Sequence, residues 1–219
     1  MANRRKELNT QGADLWYLIG LITSDGCLSK DGRHVDITSK DYQYLSAIQT
    51  KFELPNKIGC KYNGKGKEAF HIQISNRNFY EFLLSIGLTQ NKSLTLGPLN
   101  IPAQFFNDFL RGLIDGDGCI RKWTHASNGT EQWSLRIYSG SMDFVAWLKN
   151  EMVALLKVKG KIYREADHQW ILKYGKLAAQ VILKKCYYGG CFGLERKILL
   201  ADNCRSSKKG WNTCRTVNF

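Results

Sequence analysis

Two acids stand at matched places in the 219-residue chain. Asp25 closes the apolar stretch of YLIGLITSDGCLSK, Tyr17 to Lys30, and Asp117 closes that of FLRGLIDGDGCIRKW, Phe109 to Trp123. Leu15, Leu18, Ile19 and Ile22 recur at helical spacing before the first, and Phe106, Phe109, Leu110 and Leu113 before the second, so each carboxylate ends a helix. The helix dipole disfavours a negative charge there by roughly 0.3–1 kcal/mol, and two close carboxylates repel further. A positive centre between them relieves both penalties. Magnesium, a hard cation satisfied by carboxylate and phosphate oxygens, fits best.

The helices must meet for that to happen, and their small residues allow it. Gly20 and Ser24 in the first copy, and Gly112 and Gly116 in the second, leave one side of each helix almost bare. Glycine costs about 1 kcal/mol against alanine inside a helix, so three of them need a packing reason. Mutual contact of the two copies supplies it. A calcium loop starting at Asp115 is excluded, because its twelfth position is Ala126 where glutamate is required.

The elements around each helix follow one order. The first helix is expected from about Ala13 to Asp25, with Gly26 ending it as a left-handed cap residue. CLSKDGR and HVDITS form a hairpin turning at Asp31-Gly32, and KIGCKYN and AFHIQIS form another turning at Gly64-Lys65-Gly66. KDYQYLSAIQTKFEL and NRNFYEFLLSIGL read as amphipathic helices. The second unit repeats helix, hairpin, helix, hairpin, helix through CIRKWTH, QWSLRIYS, SMDFVAWLKNEMVALL, KGKIYRE, HQWILKY and GKLAAQVILKKCYY. The expected organisation is a first repeat over 1–88, a linker over 89–102 holding Pro98 and Pro102, a second repeat over 103–201 and a basic tail over 202–219.

Composition narrows the partner. Thirty-two Lys and Arg against nineteen Asp and Glu give +13 on a chain that is 43% hydrophobic, which points to a folded protein with a polyanionic partner, nucleic acid ahead of a membrane surface. No apolar stretch approaches the roughly 18 to 20 residues of a membrane span, and MANRRKELNTQGADL lacks the apolar segment of a signal peptide. An intracellular place of work is expected, in cytoplasm, nucleoid or an encoding organelle. Seven cysteines, an odd number without a close CxxC pair, read as reduced thiols, and the irregular spacing of the last four speaks against zinc.

LIGLITSDG, Leu18 to Gly26, and LRGLIDGDG, Leu110 to Gly118, resemble the two signature helices of the LAGLIDADG homing endonucleases in their single-chain form. The second copy matches closely, while the first has Thr23 in place of the signature's aspartate. QNKS, Gln90 to Ser93, and LERK, Leu194 to Lys197, resemble the segments that carry a basic residue near the active site. The resemblance implies an α+β fold of two pseudo-symmetric αββαββα repeats, with antiparallel sheets forming a saddle for DNA. It also implies a monomer that cleaves both strands of double-stranded DNA with divalent metal and leaves 3′ overhangs. Carried over, the metal acids are Asp25 and Asp117, helped by carbonyls at Ser24 and Gly116, and the basic residues are Lys92 and Lys197. Magnesium is the expected cofactor; manganese or calcium can take the same sites, calcium without supporting cleavage.

Strand parity then sketches the DNA surface, since alternate residues share a face. The first repeat offers Ser29, Asp31 and Arg33, then His34, Asp36 and Thr38, then Lys61, Asn63, His71 and Gln73. The second offers Arg121, Trp123 and His125, then Ser134, Arg136 and Tyr138, then Lys161, Tyr163, Gln169 and Lys173. Arg and Lys suit guanine, Asn and Gln adenine, and Asp can accept from cytosine. The halves differ, so a long, asymmetric site is expected. Two other readings share the scaffold: an RNA maturase that binds intron RNA, and a DNA-binding regulator without chemistry.

Overall fold

The computed structural model describes residues 12–62, 66 and 68–208. The first repeat runs α1 (Ala13–Asp25), β1 (Gly26–Leu28), β2 (His34–Ser39), α2 (Tyr42–Lys51), β3 (Gly59–Tyr62), β4 (Glu68–Ser75) and α3 (Arg77–Ser85). The second runs α4 (Phe106–Asp117), β5 (Gly118–Thr124), β6 (Glu131–Ser139), α5 (Met142–Leu156), β7 (Lys161–Ala166), β8 (Gln169–Gly175), α6 (Lys176–Cys186) and α7 (Glu195–Ser206). Each repeat builds one antiparallel four-stranded sheet, in the orders β1-β2-β4-β3 and β5-β6-β8-β7. The fold is the expected α+β pair of αββαββα repeats.

Local chemistry sets most of the boundaries. Asp41 and Asn76 each accept a 3.0 Å bond from the backbone amide three residues on, capping α2 and α3, and Ser141 caps α5 in the same way. Gly87, at φ +103°, closes the turn after α3. Gly26, after α1, acts differently from the expected cap glycine, and Gly118, after α4, behaves as Gly26 does. Gly26 and Gly118 are extended, with φ near −91° and −84°. A Cβ on either would lie 2.6 Å from a backbone atom of Ile22 or Ile114 in the preceding turn, so the absence of a side chain lets the strand leave the helix at a sharp angle.

α1 and α4 are buried along almost their whole length, and one apolar core runs through both repeats. Trp16 stacks on Phe105 at 6.1 Å and meets Phe82 edge-on, while Phe109 meets Trp147 edge-on, so aromatic contacts tie both central helices into the layers around them. Each buried Leu or Ile contributes roughly 1.5–3 kcal/mol.

Two expectations about connections change. The segment expected as a linker is packed, with Leu96 and Leu99 buried, and Leu96 O accepts from Ser141 Oγ. The segment expected as tail begins inside α7, which continues to Ser206; its polar sequence, ERKILLADNCRS, hides a helix that buries Lys197, Ala201 and Cys204. Residues 209–219 and the N-terminal 1–11 lie outside the described residues, as do Asn63 and the Gly64-Lys65 part of the second turn.

Candidate functional site

At the centre, α1 and α4 touch backbone to backbone. A Cβ on Gly20 would sit 1.9 Å from Phe109 O, and one on Gly112 would sit 2.0 Å from Tyr17 O. At the ends of the helices a Cβ on Gly116 would meet Ser24 Oγ at 1.9 Å and Asp25 Oδ2 at 3.0 Å. The four small residues thus bring the two helix C-termini side by side, and Asp25 reaches across toward the second repeat.

Burial, and after it the charge of Asp117, push the Asp25 carboxyl up to about 6 against the opposing pull of Lys197, Lys92 and Arg196. Asp117 is also raised by burial, opposed by Lys92 and Lys197. Two carboxylates that resist ionisation, set against two helix C-termini, suit a divalent cation. Among the described residues no cluster of three or more His, Cys, Asp or Glu side chains can hold a metal, so further oxygens would come from the main chain, water or substrate. Gly116 O, one expected ligand, already accepts from Lys197 Nζ at 3.3 Å. The Ser24 hydroxyl turns back to Leu21 O at 3.0 Å.

The two lysines sit behind the acids. Lys92, 7% exposed, donates to Gly26 O, and Lys197, 3% exposed, donates to Ile114 O, to Asp115 O at 2.7 Å and to Gly118 O at 2.8 Å. Gly26 and Gly118 are equivalent in the repeats, so the ammonium groups are related by the pseudo-twofold. Neither lysine makes an ion pair among the described residues, although both bear electrostatically on both acids. Burial lowers Lys197 to about 8. They satisfy the free carbonyls of the helix ends and are not directed into the solvent between the acids.

Several site residues escaped the sequence. Asp115, 3% exposed, accepts from Tyr17 Oη at 2.7 Å, Tyr187 Oη at 2.6 Å and Leu194 N at 2.7 Å. Tyr17 also meets the hydroxyl of Tyr44, extending the chain of polar groups into α2. Leu194 is the residue before α7, so Asp115 fixes the start of the helix that carries Lys197. Arg111, fully buried, donates to Asp108 Oδ1 at 2.8 Å and to the carbonyls of Cys186 and Phe192, and lies 5.1 Å from the ring centroids of Tyr17 and Tyr188. Arg196 shares an open groove of about 690 Å³ with Asp25, Thr38, Asp41 and Phe70. It stands next to Lys197 in LERK, and that adjacency was its only signal in the sequence.

On the first sheet, Ser29, His34, Asp36, Thr38, Lys61, His71 and Gln73 lie on the side opposite buried Val35, Ile37, Ile72 and Ile74. Asp31 and Arg33 do not belong to a strand face; the chain turns between them at Gly32, φ +74°. Both acids are engaged already. Asp36 accepts from His71 Nδ1 at 2.7 Å and from Lys61 Nζ and Thr38 Oγ1 at 3.1 Å, and Asp31 bonds His34 and the amides of Arg33 and His34. The His34 contact holds the Asp31 carboxyl well below the usual carboxylate range. Neither carboxylate is free to accept from cytosine unless those bonds open.

On the second sheet, Arg121, Trp123, Arg136, Tyr138, Lys161, Tyr163, Gln169 and Lys173 lie opposite buried Ile120, Leu135, Ile137 and Leu172. Gln169 opens β8 beside a bulge between Arg164 and Ala166, and His125 follows β5 in its loop, bonded through its amide to Thr130 O. Ser134 has the right parity but is 1% exposed, so its neighbours cover it and it does not reach the surface.

This is the two-repeat LAGLIDADG architecture: facing signature helices, a terminal aspartate on each, and a four-stranded sheet on either side. Residues 12–87 match the family model described as a LAGLIDADG-like domain, and the same element order fills the second half. Among solved structures it resembles full-length WhiA from Thermatoga maritima, at TM-score 0.59 and 16% identity, covering 91% of this chain and 62% of that one. The chain therefore spans less than two thirds of that protein. It also resembles the homing endonuclease I-WcaI bound to its DNA recognition sequence, at TM-score 0.58 and 16% identity over 79% of this chain and 80% of that one. I-SmaMI bound to an uncleaved DNA target with calcium ions matches at TM-score 0.56 and 14% identity over 86% and 91%. No curated protein sequence matches significantly. Because the endonucleases and WhiA share the fold, the fold alone does not assign the chemistry. Among the described residues no helix is long and apolar enough to cross a membrane.

Proposed function

We propose that this chain is a site-specific DNA endonuclease of the intron- or intein-associated homing kind. It hydrolyses one phosphodiester bond on each strand of a long, asymmetric duplex and leaves 3′ overhangs. The observation that carries the reading is the pair of aspartates, Asp25 and Asp117, brought together at a glycine-lined junction and held against ionisation by burial. The DNA-bound state of the I-WcaI and I-SmaMI structures supports double-stranded DNA as the partner. One chain already supplies both halves, so a monomer suffices.

Asp25 and Asp117 would hold divalent metal, magnesium by preference, with the Ser24 and Gly116 carbonyls as further hard oxygens. A bound metal supplies Lewis-acid activation of the phosphoryl oxygen and a more acidic water. The chain's residues supply position and field. Lys92 and Lys197, tied to helix-end carbonyls, hold the two acids in place and put positive charge behind the developing transition state. On the Asp25 side, exposed Arg196 is a cation able to meet a phosphate in the groove.

The test is selection of cleaved molecules from a randomised duplex library with magnesium, followed by end sequencing, for the wild type and for Asp25→Asn. Cleavage at one site with 3′ overhangs, lost in the variant, is expected. DNA retained without any cleavage would instead favour the second reading, a DNA-binding protein that uses this fold without the chemistry, which the resemblance to WhiA keeps in view.

A further inference from the structure

The two sheets carry opposite charge in the same place. In the second repeat one row of paired residues crosses all four strands as Cys119, Arg136, Lys173 and Lys161. In the first repeat the matching row is Cys27, Asp36 and Gln73. Both rows start two residues after a signature aspartate, beside the helix junction. Like charges directly opposite one another destabilise a sheet, so Arg136, Lys173 and Lys161 are held together at a cost. None of the three makes an ion pair among the described residues, and the buried Nε of Arg136 has no hydrogen-bond partner. The first sheet has no such surplus: Asp36 neutralises Lys61 and binds His71, and Asp31 binds His34.

We propose that the second-repeat row, Arg136, Lys173 and Lys161, is the phosphate grip of the DNA surface, while the first-repeat sheet is a self-neutralised surface that adds little electrostatic affinity. The inference rests on the reading of the partner as DNA. Its physical content is counterion release. A cation that meets a phosphate releases the ions condensed there, and each such contact steepens the fall of log Kobs with log salt by about 0.9 for B-form duplex. Lys61 must first give up Asp36, so the net charge it brings to DNA is close to nil. The duplex is then held first by the half that lies on the second repeat.

The experiment measures binding of the full chain to a labelled random-sequence duplex, without divalent metal, between about 50 and 200 mM salt. The variants are the triple Arg136→Gln, Lys173→Gln, Lys161→Gln, and the single Lys61→Gln. The triple is expected to flatten the slope by about 2.7, three contacts at about 0.9 each, and Lys61→Gln by well under about 0.9. Asp36→Asn is expected to steepen it by up to about 0.9, because Lys61 is released. If the triple fails to fold, Lys173→Gln alone replaces it, with about 0.9 expected. An equal loss per charge from both sheets, or a flatter slope in Asp36→Asn, overturns the division while leaving DNA as the partner. A wild-type chain whose affinity ignores salt overturns the proposed function together with this inference.

Discussion

The repeats agree in their backbone and differ in what they bury at the junction. Thr23 bonds its own helix, at Ile19 O, and Ile19 is a core residue. Their counterparts in the second repeat, Asp115 and Arg111, are buried charges that reach Tyr17, Tyr187, Asp108 and three backbone groups beyond α4. The difference follows what each half has to hold. Lys92 rides on a segment anchored by buried Leu96 and Leu99, so apolar packing positions it. Lys197 rides on α7, whose polar sequence offers less apolar anchorage, and Asp115 binds its start directly. A duplicated unit can thus keep its chemical groups in register while replacing one kind of support with another.

The largest expected effect treats the halves as equals. Asp25→Asn and Asp117→Asn should each abolish double-strand cleavage while leaving duplex binding nearly unchanged, read by gel cleavage and anisotropy. A variant that cuts both strands normally would remove its half from the active site. The same Asn variants should raise the melting temperature of the metal-free protein at pH 8, by roughly 2–4 °C for each kcal/mol relieved. The sign follows from the raised carboxyl: stability is lost as pH climbs from the unfolded value near 4 through about 6, because the folded state resists ionising Asp25. At pH 4 the gain from Asp25→Asn should vanish.

Next in size comes the asymmetric pair. Arg111→Ala leaves Asp108 with the Tyr188 hydroxyl in place of its cation, frees two carbonyls, and should cost roughly 3–5 kcal/mol in denaturant unfolding, as the loss of one partner of a buried ion pair does. Thr23→Val, which removes only a bond within one helix, should cost less than about 1.5 kcal/mol. Equal costs would mean that the second-repeat network carries no special support. A symmetric control lies between them: Gly20→Ala and Gly112→Ala each press a methyl against a backbone carbonyl and should lose similar amounts, roughly 1–3 kcal/mol. The smallest contrast is between the lysines. Lys197→Met leaves more carbonyls unsatisfied than Lys92→Met, so its melting temperature should drop further.

Periodicity made the scaffold readable. Apolar spacing marked α1 and α4, alternation marked the strands and their open faces, and four small residues announced the helix contact. What spacing could not show was pairing across distance. Asp115 meets Tyr187 and Leu194 more than 70 positions later, and nothing near Asp115 in sequence marks them as partners. Parity likewise named Asp36 as a reader of bases without revealing that Lys61 and His71 already hold it. It put Ser134 on the right side without showing that neighbours cover it. Gly26 reads as a cap glycine because helices often end so, whereas its extended backbone, like that of Gly118, answers to crowding by the preceding turn. α7 stayed hidden because its apolar pattern is weak.

The bare faces of α1 and α4 leave one matter open along their axis. Glycine against carbonyl brings the backbones close but offers no side-chain bond to tie one helix to the other. The Tyr17 to Asp115 bond opposes a slide along that axis, because a displaced Asp115 would lose the one of its three donors that comes from α1. It works as a dowel between two planed boards, helping the glycine contact to hold the spacing of Asp25 and Asp117 through a bond that touches neither.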